Sequence, residues 1–407
     1  MPSAQAKNTV IKSWNEWSLY AAIFILPIHS KIAVYCLLLF GVTSFINGSF
    51  SVFKQNLKEQ KYLLLLVLIY LLYFVYFFIS ADKKAAQFDL ELKMSLLIAP
   101  FLFLFSKIKW QSVKERALFI YLLACVLSLL AYIALAASRY FESKDADFFF
   151  YQHLSPFMHV GYYALHLTTA LAIALRWTLL SNKGKKRKYF YFSTALFLGF
   201  GIVLSTSKAA LICAFILFLI AASRYVYLTK NWFRASVALV GLLLLLSAAY
   251  IYLPDFKYRI DTFISSLNDK PVYPDSTNSR EMVWDCAMEL MRNEPLSGYG
   301  SDANQKLLDC YAAREMNYEL TQKLNAHNEF FQLYLETGIV GILTLLLLLF
   351  TGFYKAIKSR SFLFAAFLIC ILVNFTTESV LETEAGVMYF CFFFCFFDSV
   401  NLKNKTV

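Results

Sequence analysis

The residues of this chain that could do chemistry lie in a few polar stretches. Ser205-Thr206-Ser207-Lys208 sets a cation and hydroxyls between two apolar runs, at the expected start of a helix. Amide groups at a helix N-terminus, hydroxyls and an ammonium together suit an anion such as a phosphate. Taken alone, Lys208 reads better as a lysine whose stem lies in lipid while its head reaches water. Arg280 follows Ser276-Thr277-Asn278-Ser279, residues that can cap a helix running to about Asn293. Trp284, Met288 and Met291 recur on that helix at helical spacing and are expected to pack on the membrane part, so that Arg280 can turn its planar donors inward. His327-Asn328 then leads through Gln332 and Glu336 to Gly338 and Gly341. Asn328, Gln332 and Glu336 at i, i+4, i+8 form one polar stripe on a helix entering an apolar run, which is costly unless it faces protein or a wet cavity.

Imidazole exchanges protons near neutrality, so His327, the one histidine of its polar stretch, is the general-base candidate. His153 and His159 flank another connection and could line a cavity, while His29 and His166 read as structural. Glu378, Glu382 and Glu384 cluster without any compensating Lys or Arg, and read as acceptor-binding groups or as charges that keep their loop out of the cytoplasm. The sequence has no zinc-type His/Cys spacing, P-loop, dinucleotide fingerprint, Gly-x-Ser-x-Gly elbow or Asp-rich metal motif. A pyrophosphate handled here would therefore have to be neutralised by Lys and Arg, with no metal and no cofactor expected.

The elements that must position these residues are membrane helices. A chain of 407 residues that is 59% hydrophobic and 16% charged, with a mean hydropathy of +0.56, cannot present a water-soluble surface. Apolar runs of near-spanning length give an all-α fold of about twelve transmembrane segments, at residues 18–30, 32–49, 62–80, 92–105, 117–137, 159–178, 189–204, 209–223, 236–253, 337–354, 362–375 and 385–400. The stretch before the first has no secretory cleavage signal, so that segment is expected to stay as a span. With both termini cytoplasmic, the inner side holds 23 basic and 4 acidic residues, including Lys183, Lys185, Lys186, Arg187 and Lys188. The outer side then has a net charge of −8, and the net +11 of the chain reflects topology, not nucleic-acid binding. Trp14, Trp17, Trp110, Trp177 and Trp232 fall at inner helix ends, where indole favours the headgroup layer.

This organisation divides the chain into a membrane region at 1–253, a polar outer loop at 254–329 and a second membrane region at 330–407. A loop of that length usually has a function. A second helix is expected within it from Ala303 to Tyr318, and Pro295 with Gly298-Tyr299-Gly300 should close the first. Six cysteines sit in apolar runs; Cys286 and Cys310 lie in the loop and could form a bridge if it is extracytoplasmic. The spans are nearly free of Asp, Glu, Lys and Arg away from their ends, unlike an ion-coupled transporter. The chemistry is expected at the outer surface.

Taken together and in order, Ser205-Thr206-Ser207-Lys208, Asn278-Ser279-Arg280 with Trp284, Pro295-Leu296-Ser297-Gly298-Tyr299-Gly300, and His327-Asn328 through Gln332, Glu336, Gly338 and Gly341 resemble the O-antigen ligase/polymerase superfamily. Glu378-Ser379-Val380-Leu381-Glu382 before an aromatic run looks like the family's C-terminal end. The resemblance implies a membrane glycosyltransferase of the GT-C type in the bacterial inner membrane, acting on its periplasmic face. Its donor would be a glycan on undecaprenyl pyrophosphate, and in the ligase branch its acceptor would be lipid A-core. By that analogy His327 activates the acceptor hydroxyl, and Arg280 with Lys208 holds the pyrophosphate, beside substrate-binding roles for Ser207, Asn328 and Glu378. Many relatives carry arginine where Lys208 stands, so the bidentate fork is lost there. Chain extension by a polymerase would use the same donor and similar cations. A transporter of lipid-linked sugars is the reading from another class, and it lacks the midplane polar residues and repeated halves that transport would call for.

Overall fold

The structure, a computed structural model, describes residues 4–180, 184–266, 276–294 and 296–401, and all regular structure among them is helical. The α-helices begin with α1 (Ala4–Ile25), α2 (Ser30–Asn47), α3 (Phe50–Gln60), α4 (Leu64–Ile79), α5 (Lys83–Leu92) and α6 (Ser95–Phe105). They continue with α7 (Trp110–Ser143), α8 (Val160–Leu180), α9 (Lys185–Ser205), α10 (Lys208–Thr229), α11 (Trp232–Tyr252) and α12 (Pro254–Ser266). Then come α13 (Ser276–Asn293), α14 (Ala303–Ala313), α15 (Asn317–Gln322), α16 (Glu329–Lys358), α17 (Phe362–Thr377) and α18 (Glu384–Ser399). Seven helical stretches among the described residues are long and apolar enough to cross a membrane: Ser30–Asn47, Phe50–Ile79, Trp110–Ser143, Lys185–Ser205, Lys208–Thr229, Trp232–Tyr252 and Glu329–Lys358. The chain is an integral membrane protein. The remaining expected segments fall on α1, α6, α8, α17 and α18, which do not meet that measure.

Two compact units divide the chain. One comprises Trp17–Leu38 and Ser112–Asn268. In it α8 buries a run of small residues, Ala164, Ala170, Ala172 and Ala174, which lets neighbouring backbones approach closely. Polar groups inside pair across α7 and α8: Tyr121 with His166 Nδ1 at 2.8 Å, and Ser128 with Tyr163 at 3.0 Å. His166 is thus a buried structural histidine, as its sequence setting suggests. Ser207 caps α10 by accepting from the Ala210 N–H, after Thr206 turns the chain through a left-handed φ of 49°.

The other unit comprises Met1–Glu16, Leu39–Gln111 and Asp269–Val407. Its α18, aromatic on every side, is buried from Gly386 to Ser399, as a helix without a polar face must be. Phe103 of α6 meets Phe392 edge-on at 5.6 Å, and α16 packs against α4 and α17. The polar helices form a small core of their own, with Val283, Ala287, Leu307 and Tyr311 joined by Leu335 of α16. Cys286 and Cys310 are disulfide-bonded and tie α13 to α14. Trp284 and Met291, expected to pack on the membrane part, turn into this core, where Trp284 meets Phe331 of α16, whereas Met288 is exposed. The second loop helix ends at Ala313, short of the expected Tyr318, because Glu315 adopts a left-handed φ of 56° before α15 starts. Pro295 and Lys183 lie outside the described residues, as do the side chains of Ser276, Thr277 and Asn278.

The loop joins α16 through an exchange of backbone hydrogen bonds. Gly338 takes φ 64° and ψ −159° inside α16, a conformation open essentially to glycine alone, and interrupts the helical ladder. Leu335 O, which Ile339 N–H would otherwise reach, accepts instead from Tyr299 N–H at 2.6 Å, while Ile339 N–H donates to Leu296 O at 3.1 Å. Gly298, at φ 71°, lies so close that an added Cβ would meet Gly338 N at 2.7 Å. Tyr76 of α4 donates to Ser297 O, and Ser80 donates to Asp302 at 2.9 Å, fixing the same loop to α4. Gly338→Ala should therefore lower stability by at least about 1–3 kcal/mol. In a thermal melt of detergent-purified protein it should unfold well before Gly199→Ala, whose Cβ would meet nothing within 4 Å.

Candidate functional site

Arg280, the fifth residue of α13, and His327, just before α16, both converge on Glu378, which follows α17. Arg280 Nη2 donates to Glu378 Oε1 at 2.6 Å, and His327 Nδ1 lies 2.9 Å from Glu378 Oε2. The side chains are 18%, 26% and 35% exposed in the order Arg280, His327, Glu378, so the group is sheltered yet open to a ligand. Its backbone supports are local. Asn325 Oδ1 accepts from His327 N–H at 3.0 Å, and His327 holds φ 45°, a left-handed conformation that a non-glycine residue keeps only under constraint. Asn328 caps α16 through Phe330 N–H and Phe331 N–H at 3.0 and 3.2 Å, and its amide reaches Thr376 O at 3.4 Å. Among the described residues, Arg280 Nε and Ser379 Oγ are buried without a hydrogen-bond partner. With Glu378 accepting from Nδ1–H, the tautomer of His327 leaves Nε2 able to take a proton, while Arg280 has donors left for an anion.

A second polar cluster stands beside it within the same unit, around Lys93 at the junction of α5 and α6. Its ammonium is 2.6 Å from Glu382 Oε1, 3.6 Å from Glu336 Oε2 and 3.8 Å from Asp89 Oδ1, and lies 4.4 Å from the centre of the Tyr73 ring. Tyr73 OH donates to Glu336, Gln332 Nε2 donates to Glu336 Oε1 at 2.8 Å, and Asn304 Nδ2 reaches Glu382 Oε2 at 3.4 Å. Burial alone would raise the Glu382 carboxyl, but the Lys93 ammonium against it holds it below the usual carboxylate range. Asp89, farther from the ammonium, is lifted by burial above that range. Glu329 caps the turn at Val380–Glu382 by accepting from Leu381 N–H at 2.7 Å.

The structure thus brings together three of the sequence-expected residues, Arg280, His327 and Glu378, with Asn328 adjoining them. Ser207 and Lys208 belong to the other compact unit, where Ser207 is a helix cap and Lys208 the first residue of α10. The polar stripe is real: Asn328 caps the helix, and Gln332 and Glu336 are buried and bonded to each other. One expectation is overturned. Glu378 and Glu382 do not lack compensating cations, because Arg280 and Lys93 reach them from distant parts of the chain. Lys93 itself escaped the sequence reading; the signal was a lone lysine at the start of an apolar run with Asp89 four residues before it.

Residues 193–346 match the family model Wzy_C, described as O-antigen ligase. A domain of the O-antigen ligase superfamily therefore lies in this chain. It holds Ser207, Lys208, Arg280, His327, Asn328 and Glu336, whereas Lys93, Glu378 and Glu382 fall outside the matched residues. No curated protein matches the chain at a significant level.

The disulfide links α13, which carries Arg280, to α14, which begins one residue before Asn304. Without reductant, Cys286 and Cys310 should resist maleimide labelling in purified protein, read by mass spectrometry. Cys286→Ser with Cys310→Ser should cost about 2–4 kcal/mol, seen as a lower melting temperature.

Proposed function

We propose that the protein is an O-antigen ligase, which moves a glycan from undecaprenyl pyrophosphate to lipid A-core at the periplasmic face of the bacterial inner membrane. The observation that carries this reading is Glu378 bridging Arg280 and His327. The Wzy_C match supports the family, and the ligase branch is our choice within it. Twelve crossings with both termini cytoplasmic agree with the excess of Lys and Arg on one side of the segments. A disulfide in the α13–α14 region fits an oxidising periplasm.

The chemistry follows from charge. An acceptor hydroxyl is a weak nucleophile; His327 Nε2 takes its proton as the oxygen bonds to C1 of the donor sugar. The C1–O bond to pyrophosphate breaks with its electron pair leaving on the pyrophosphate, and attack from the opposite face inverts C1. Glu378 holds the imidazole ring by its Nδ1–H and stabilises the imidazolium that forms. Arg280 offers its remaining donors to the leaving group, so that developing charge meets fixed donors without a metal. Ser207 and Lys208, at a helix start, are assigned to phosphate binding on residue type and position.

His327→Ala should reduce transfer by about 100-fold or more, and Arg280→Ala by a similar factor, while both proteins still insert. A purified transfer assay with lipid-linked donor and lipid A-core checks this, and wild-type rates in either folded variant refute that residue's role. Deleting the gene should leave unligated glycan on its carrier in a lipopolysaccharide gel; core bearing a single repeat would instead identify a polymerase. Lys208→Ala should raise the KM for donor more than it lowers kcat.

A further inference from the structure

We propose that Lys93 is the positioning residue that fixes both Glu378 and His327, through two branches of one buried hydrogen-bonded network. This inference rests on the reading of His327 as the base, which Glu378 orients. The first branch runs through Glu382. Lys93 Nζ lies 2.6 Å from Glu382 Oε1, Asn304 holds the other carboxylate oxygen at 3.4 Å, and Glu329 accepts from Leu381 N–H at 2.7 Å. The short turn from Ser379 to Glu382, closed by Glu382 N–H donating to Ser379 O at 3.2 Å, is thereby clamped, and Glu378 is the residue immediately before it.

The second branch runs through Glu336. Lys93 lies 3.6 Å from Glu336 Oε2, and Glu336 Oε1 accepts from Gln332 Nε2 at 2.8 Å. The same Gln332 amide nitrogen donates to Asn304 Oδ1 at 3.0 Å, and Gln332 Oε1 accepts from Ala326 N–H at 3.0 Å. Ala326 is the residue immediately before His327. Asn304 belongs to both branches, which closes the network on itself. Lys93 is 1% exposed, as is Glu336, while Arg280 and His327 are paired with Glu378. Lys93 acts through Glu382 and Glu336, which its ammonium draws to one point from two different segments. A nitrogen base and its carboxylate partner that approach from different segments need such a common anchor, because small misplacements are costly in catalysis.

The test uses the full chain in nanodiscs, with Lys93→Met, Lys93→Arg and Asn304→Ala. Lys93→Met should lower kcat by about 100-fold, the scale of a displacement near 1 Å, with the donor KM little changed. Lys93→Arg, which keeps the charge, should recover most of that loss, and Asn304→Ala should lower kcat in the same direction. Amide hydrogen exchange should accelerate in Lys93→Met and Asn304→Ala over residues 325–328 and 376–384 and stay at the wild-type rate in the rest of the same unit. Wild-type kcat in Lys93→Met, or exchange that speeds up uniformly through the unit, overturns the proposal. Should Lys93→Met not fold, Asn304→Ala decides by the same two readouts. If the wild-type protein transfers no glycan, the proposed function falls, and the exchange pattern still decides whether Lys93 positions the two segments.

Discussion

One ammonium in the interior organises the unit that holds the site. An unpaired Lys93 could not stay charged where it is, so its carboxylates have to come to it. They come from α5, from α16 and from the turn before α18, while Tyr73 of α4 covers the ammonium with its ring. Two charges 4 Å apart attract by about 4 kcal/mol at an effective dielectric constant of 20, which is set against the cost of removing them from water. Such a cluster adds little net stability but is expensive to break, by roughly 3–5 kcal/mol when one partner is removed. Its consequence is geometric: four segments, α4, the α5–α6 junction, α16 and the turn before α18, have one arrangement in which the charges are met.

The site inherits that arrangement by short connections. Glu378 and His327 are each one residue from a segment that joins the network, and His327 spends a left-handed backbone conformation to reach its partner. The crossing at Gly298 and Gly338 acts at the far end of the same loop. There the helix gives up one of its own hydrogen bonds, and two loop residues restore both halves of it. Backbone polar groups near lipid stay paired in this way even where the helix is broken.

Much of this was legible in the residues. Apolar runs marked the helices because lipid demands continuous hydrophobicity, and the hydroxyls before Lys208 marked where α10 begins. Arg280 could be singled out at the start of a loop helix, His327 as the one histidine of that loop, and Glu378 as an acidic position that the resemblance implies. Their convergence could not, since Arg280 and Glu378 are 98 residues apart and nothing local encodes that contact. Lys93 was hidden for a related reason: a lysine at a helix start reads as snorkelling toward water, and only the three-dimensional packing shows it turned inward. The end of α14 at Ala313 was missed because Arg314-Glu315 contains no glycine or proline to announce a left-handed turn.

The burial of α18 has a bearing on biogenesis. Helices α4 and α6 are synthesised long before the aromatic helix that α6 packs against, and α18 is enclosed over almost its whole length. Until it arrives from the ribosome, the earlier helices of this unit can only wait in the bilayer, with lipid or a membrane chaperone against the surfaces it will cover. The unit therefore assembles around a late guest and not by successive addition at its rim.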